Sequence, residues 1–144
     1  EYYRLVEYFS EFTKSRMGIV MGVPNLVDIF DEKYYRHLSG GILEAFGKLF
    51  FRDLKVFLYP QLDENGEIIN SDNLKVHPRM KELYNFFKFN GKVVDIVNYE
   101  RENLSIFSRE ILQKIHDKET GWESMLPEGI AEFIKDNQLF GYEA

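Results

Sequence analysis

Cysteine is absent from this 144-residue chain, which removes disulfides and thiolate metal sites and leaves the redox compartment unreadable. Positive charge is scarce: 18 Lys and Arg stand against 24 Asp and Glu, for a net charge of −6. A nucleic-acid-binding module would show a basic footprint instead. No apolar run approaches the ~20 residues that a membrane helix needs. The three histidines, His37, His77 and His116, share no metal-ligand spacing, and neither an HExxH motif nor a full GxGxxG or Walker loop is present. No serine stands in a GxSxG elbow. Asp63-Glu64-Asn65-Gly66 has a calcium-loop flavour without the rest of the twelve-residue ligand pattern.

Aromatic side chains are abundant: 13 Phe and 9 Tyr beside a single Trp make up 16% of the chain. Phe and Tyr each bury much area, so the excess reads as a large aromatic core, with some tyrosines available to an interface. A chain of this length fits one domain and hides roughly 70% of its unfolded surface on folding.

The order of apolar runs predicts α/β architecture. Met17-Gly18-Ile19-Val20-Met21-Gly22 is a short apolar run ending in Gly, and Val23-Pro24-Asn25 opens an apolar-periodic stretch after it. This is a buried strand feeding a helix. Helices are expected over about residues 2–15, from Pro24 to about Asp31, after Ser39-Gly40-Gly41, from Pro78 to Asn90-Gly91, after Ser108 as N-cap, and over about 128–136 with Ile130, Phe133 and Ile134 inward. Strands are expected at 17–22, 54–59 (stopped by Pro60) and 93–97, the first and last of them buried. Asp63-Glu64-Asn65-Gly66 makes a turn within a β-hairpin near residues 54–70. The expected fold is a single compact α/β domain over 1–144, with a mixed or mainly parallel sheet and helices packed on it.

Loops beyond the carboxyl ends of such strands are where ligands bind. Ser39-Gly40-Gly41 is the best candidate, because two glycines admit close backbone approach and free N–H groups at a helix start attract anions. Gly22 and Asn25 follow the first strand and would line the same crevice. Arg36 and His37, in Tyr34-Tyr35-Arg36-His37, would supply the charge. The plainer account of these seven residues is turn chemistry, capping and a solvated helix end.

Several strings look familiar: Pro78-Arg79-Met80-Lys81-Glu82-Leu83-Tyr84, Asn90-Gly91-Lys92-Val93-Val94-Asp95-Ile96, Gly121-Trp122-Glu123 and Leu139-Phe140-Gly141-Tyr142, together with residues 16–24 and 39–47. With them the chain resembles the C-terminal part of a longer, largely uncharacterised bacterial protein family. Its members carry labels such as nicotinamide-nucleotide adenylyltransferase and TonB-dependent receptor. The residues present carry neither chemistry. The ~10-residue alternating strands of a membrane barrel are missing, and no HxGH-like phosphate loop exists. What the resemblance implies is a C-terminal segment of a longer chain. Glu1-Tyr2-Tyr3-Arg4 is expected inside or at the edge of a helix, in keeping with that; it lacks the basic-then-apolar pattern of a signal peptide, so a cytoplasmic location is the expectation.

The expectation is therefore a structural or assembly domain of a cytoplasmic bacterial protein. Its partners would be the remainder of a longer chain or further copies of itself, with no nucleic acid and no membrane. Expressed alone, its first helix should be frayed or the domain should self-associate through exposed apolar surface. The alternative is part of a binding site for a nucleotide or phosphorylated metabolite in a nucleotidyltransferase-like enzyme. No cofactor, catalytic residue or metal ligand is assigned.

Overall fold

A computed structural model of the chain describes residues 1–143. Its contacts cluster in two compact units, Glu1–Asn98 and Tyr99–Ala144, and each is described by itself. The division carries no Gly- or Pro-rich marker, so composition alone does not show it.

In the first unit, α1 (Tyr2–Phe12) leads to β1 (Gly18–Gly22), α2 (Val23–Ile29), a 3-10 turn (Glu32–Tyr35), α3 (Gly41–Leu49) and β2 (Lys55–Tyr59). After β2 come the short arms β3 (Gln61–Leu62) and β4 (Ile68–Ile69), then α4 (Lys81–Phe89) and β5 (Val93–Asp95). The expected α/β class holds: β1, β2 and β5 form a parallel sheet in the order β1-β2-β5, and β3 pairs antiparallel with β4.

Register explains which side chains meet the helices. Gly18 lies beside Lys55 and Gly22 beside Tyr59, while Val56 lies beside Val93. Side-by-side residues of parallel strands share a face. Ile19, Met21, Val56, Leu58 and Val93 therefore point one way and join the helical residues Val6, Leu26, Ile29, Phe30, Phe46 and Leu49 in a single core cluster. Phe46 is its aromatic centre, with ring centroids of Phe30 at 4.9 Å, Phe87 at 5.1 Å and Phe50 at 5.6 Å, all edge to face. That geometry suits the ring quadrupoles.

Gly18, Val20, Phe57 and Val94 point to the opposite face, which is only partly covered. Val20 is 67% exposed, and Phe57 and Val94 are half-buried. The expectation that 17–22 is a buried strand is thus corrected to an edge strand with only Met21 buried. An unalternated apolar run usually signals cover on both sides. Here the run Ile19-Val20-Met21 keeps its middle residue outside.

Three boundaries shift for local reasons. α1 stops at Phe12 rather than near residue 15 because Thr13 turns extended; Arg52 then donates to the Ser10 and Thr13 carbonyls at the helix end, where a cation is favoured. The hairpin lies within 61–69, beyond Pro60, with Asp63 Oδ1 accepting from the Asn65 and Glu67 N–H groups. β5 ends at Asp95, short of 97, and only Val93 of it is buried, with Val97 85% exposed, which corrects the expected buried run; the Asp95 carboxylate accepts from Ser71 N–H at 2.9 Å and Ser71 Oγ at 2.6 Å.

The second unit contains α5 (Ser108–His116) and α6 (Ile130–Asp136) with 3-10 turns around them. Trp122, 2% exposed, centres a small core of Ile111, Ile115, Ala131 and Ile134. Ser108 is the first helical residue rather than the N-cap; Phe107 caps α5 without a side-chain bond. On α6, Ala131 and Ile134 face inward, whereas Ile130 and Phe133 are exposed, which corrects the expected inward set.

Candidate functional site

The seven residues singled out as a ligand site divide between two places. Gly22 caps α2 with φ −81°, and Asn25, exposed in its first turn, lines a hollow of about 240 Å³ with Glu1, Tyr2, Asp28, Ile29, Tyr34 and Tyr35. His37 meets its rim, with Nε2 3.5 Å from a Glu1 carboxylate oxygen and 3.1 Å from Tyr3 Oη. Two carboxylates line this hollow: that of Glu1 is paired with Arg4 Nε at 2.8 Å, and that of Asp28 disfavours a phosphate.

Arg36, Ser39, Gly40 and Gly41 lie in the connection from the 3-10 turn to α3 and do not line that hollow. There the donor expected to hold an anion already has one. Gly40 N–H donates to Glu44 Oε2 at 2.9 Å, and Gly41 N–H donates to Leu38 C=O at 3.0 Å. Glu44 reaches back over the first turn of its own helix, as carboxylates do at helix starts. The Gly40 N–H bond and then Lys48 hold the Glu44 carboxyl below the usual carboxylate range. The glycines serve this turn: a Cβ on Gly40 would meet Glu44 Cβ at 2.8 Å, and Gly41 has φ +56°.

A different surface has the geometry of a binding site. Lys55 N–H donates to Met17 C=O at 3.2 Å, which sets the phase of the β1–β2 ladder. In a parallel ladder alternate residues of a strand face one neighbour, so Ile19 and Met21 bond β2. Gly18, Val20 and Gly22 turn their N–H groups to the open edge, and none of these has a hydrogen-bond partner among the described residues. Beside this edge lies a groove of about 480 Å³, lined by Leu5, Val6, Phe9 and Thr13 of the α1 side and Met17 to Val20 of the β1 side. The groove leaves Ile19 half-buried although it points toward the helices.

The outer face of α1 continues that apolar margin. Leu5 is 49%, Tyr8 56%, Phe9 50% and Phe12 71% exposed, at spacings that place them along one side of the helix. Tyr8 and Phe12 contact each other with centroids at 5.0 Å. Only Tyr3 and Val6 of α1 are buried.

No family model matches this chain, and no curated protein and no solved structure matches it. The reading of the site therefore stands on the geometry. Among the described residues no cluster of His, Asp and Glu has metal-holding geometry, no helix is long and apolar enough to cross a membrane, and every buried polar side chain has a hydrogen-bond partner.

In the sequence, Leu5, Val6, Phe9 and Phe12 repeat at helical spacing, which does not by itself separate a core stripe from an exposed face or mark the β1 edge. A signal was present. Seven of the eleven α1 residues are apolar or aromatic (Tyr2, Tyr3, Leu5, Val6, Tyr8, Phe9, Phe12), more than one stripe facing a core requires.

Proposed function

We propose that this chain is an assembly module: an α/β platform whose β1 edge and α1 face together receive another polypeptide. The observation that carries this reading is the coincidence of unpaired backbone donors at Gly18, Val20 and Gly22 with the exposed Leu5, Tyr8, Phe9 and Phe12 beside them. An open edge offers main-chain hydrogen bonds to an added strand, and a neighbouring groove selects its side chains. Proteins that avoid such pairing blunt their edges with charge, proline or bulges. β1 has none of these within Gly-Ile-Val-Met-Gly. The sheet's other edge, β5, is three residues long and ends in a carboxylate held by Ser71.

A photo-crosslinking amino acid placed at Phe12 tests the reading in cells, with the same group at Asn85 on α4 as the control. The module reading expects a discrete covalent polypeptide adduct from position 12 and none from position 85. Equal, diffuse labelling from both positions, or no adduct from position 12, would remove it.

A further inference from the structure

Resting on the reading of the α1–β1 margin as a docking surface, we infer that its occupant is a second copy of this chain, paired antiparallel strand to strand about Val20. The warrant begins in the strand itself. Gly18-Ile19-Val20-Met21-Gly22 reads nearly the same in both directions: glycine at each end, unbranched or branched aliphatic residues next, and valine at the centre. The outward backbone groups share that centre, because Gly18, Val20 and Gly22 are the residues turned to the edge.

A two-fold axis through Val20, perpendicular to the sheet, then sets Val20 beside the second copy's Val20, and Gly18 beside its Gly22. The two valines exchange two N–H to C=O bonds. The Gly22 N–H of each copy donates to the Gly18 carbonyl of the other. Contacts of this kind are isologous, so they close at two chains and do not propagate.

Glycine at both ends is what the open face requires. On that face the Phe57 ring lies across Gly18, where a Cβ would come within 2.7 Å of it. The residue that pairing brings beside Gly18 is again a glycine, so the ring meets no opposing side chain. The product is a continuous six-stranded sheet, with each copy contributing three parallel strands.

On the helical face the same axis brings the two α1 helices side by side and antiparallel. An eleven-residue helix is about 16 Å long, and a five-residue strand spans about 17 Å. Helix and strand contacts therefore cover the same length of edge. At 150–250 Å² per aromatic residue, the exposed parts of Tyr8, Phe9 and Phe12 supply on the order of 350 Å² per copy. Leu5, Val20, the groove lining and the strand backbone bring this toward the ~800 Å² per partner of a standard interface.

Sedimentation of the chain over a range of concentrations, with three variants, tests the inference. The wild type is expected to sediment at twice its 17.1 kDa mass. Val20→Pro removes an outward donor while Ile19 and Met21 keep the β2 ladder, since an edge strand tolerates proline where the N–H faces outward. Phe12→Lys puts a charge between the two helices without touching the strand. Both variants are expected to be folded monomers by circular dichroism.

Because the chain has no cysteine, Val20→Cys has only its own counterpart to oxidise with. Paired β residues fall within disulfide reach. Cross-linking should be on the order of 100-fold faster than in Phe89→Cys, since a paired site has an effective concentration of about 1 mM against a chain at about 10 μM.

A wild type that stays monomeric at high concentration overturns the second copy as occupant; the adduct from position 12 then decides separately whether the module reading stands. A wild-type dimer also overturns the inference if Phe12→Lys leaves it intact and Val20→Cys oxidises no faster than Phe89→Cys, because the pairing would lie elsewhere. Should Val20→Pro fail to fold, the Phe12→Lys and Val20→Cys results decide the matter.

Discussion

Two tyrosine hydroxyls tie the core of the first unit to its loops. Tyr35 Oη donates to the Ile29 carbonyl at 2.9 Å, and Tyr84 Oη donates to the Ser71 carbonyl at 2.7 Å. Burial, followed by the charge of Glu1, pushes the Tyr35 hydroxyl up to about 12; burial, followed by the Asp95 charge, raises that of Tyr84 as well. A phenol whose pKa is higher in the folded state than in the unfolded chain stabilises the fold fully below the unfolded value, near 10. That contribution is lost as pH rises from about 10 toward the folded value, because the unfolded state then releases its proton first. Thermal melts between neutral and strongly alkaline pH should therefore show the melting temperature falling in that window. Tyr35→Phe should flatten the fall, while costing about 0.5–1.5 kcal/mol at neutral pH for the lost hydrogen bond. An unchanged alkaline slope in Tyr35→Phe would contradict the assignment.

At the scale of elements, α1 separates the residues that hold the fold from those that present a surface. Val6 is 3% exposed in the core cluster, whereas Phe12 is 71% exposed. Val6→Ala should cost about 1–3 kcal/mol, the range of a lost core aliphatic contact plus its cavity. Compared at a chain concentration too low for pairing, Phe12→Lys should leave the stability of the monomer within ~0.5 kcal/mol, as exposed positions do. Chemical denaturation of both variants checks this, and a large loss in Phe12→Lys would place that ring in the core.

Much of the element order was legible in the sequence. Pro60 marks the end of β2, Asn90-Gly91 the end of α4, and the apolar runs at 17–22, 54–59 and 93–97 are the three parallel strands. What was not legible depended on partners distant in sequence. Nothing in Ile19-Val20-Met21 tells that β2 lies on one side only, and nothing in α6 tells that Ala131 takes the inward place expected of Ile130 and Phe133. The anion expected at Gly40 was legible as a need and hidden in its answer, because the carboxylate that fills it belongs to Glu44, one turn further on.

For the whole molecule, the two units differ in how much core each one has. Twenty buried residues form the cluster of the first unit and five that of the second, and units with little core are marginal. Trp122 is the only tryptophan of the chain and belongs to the smaller cluster, with Tyr142 edge-on at 6.0 Å and Lys135 Nζ 5.4 Å from its ring. Its fluorescence reports on the second unit alone. The tryptophan signal is expected to change at a lower temperature than the far-ultraviolet circular dichroism, which both units contribute. Coincident transitions would show one cooperative unit instead. Hydrogen exchange of the individual backbone amides in dilute and concentrated chain tests the outward edge of β1 most directly. Ile19 and Met21, bonded to β2, should be protected at both concentrations, whereas Val20 should exchange rapidly when dilute and become protected when concentrated. A Val20 amide that exchanges equally fast at every concentration would contradict the account.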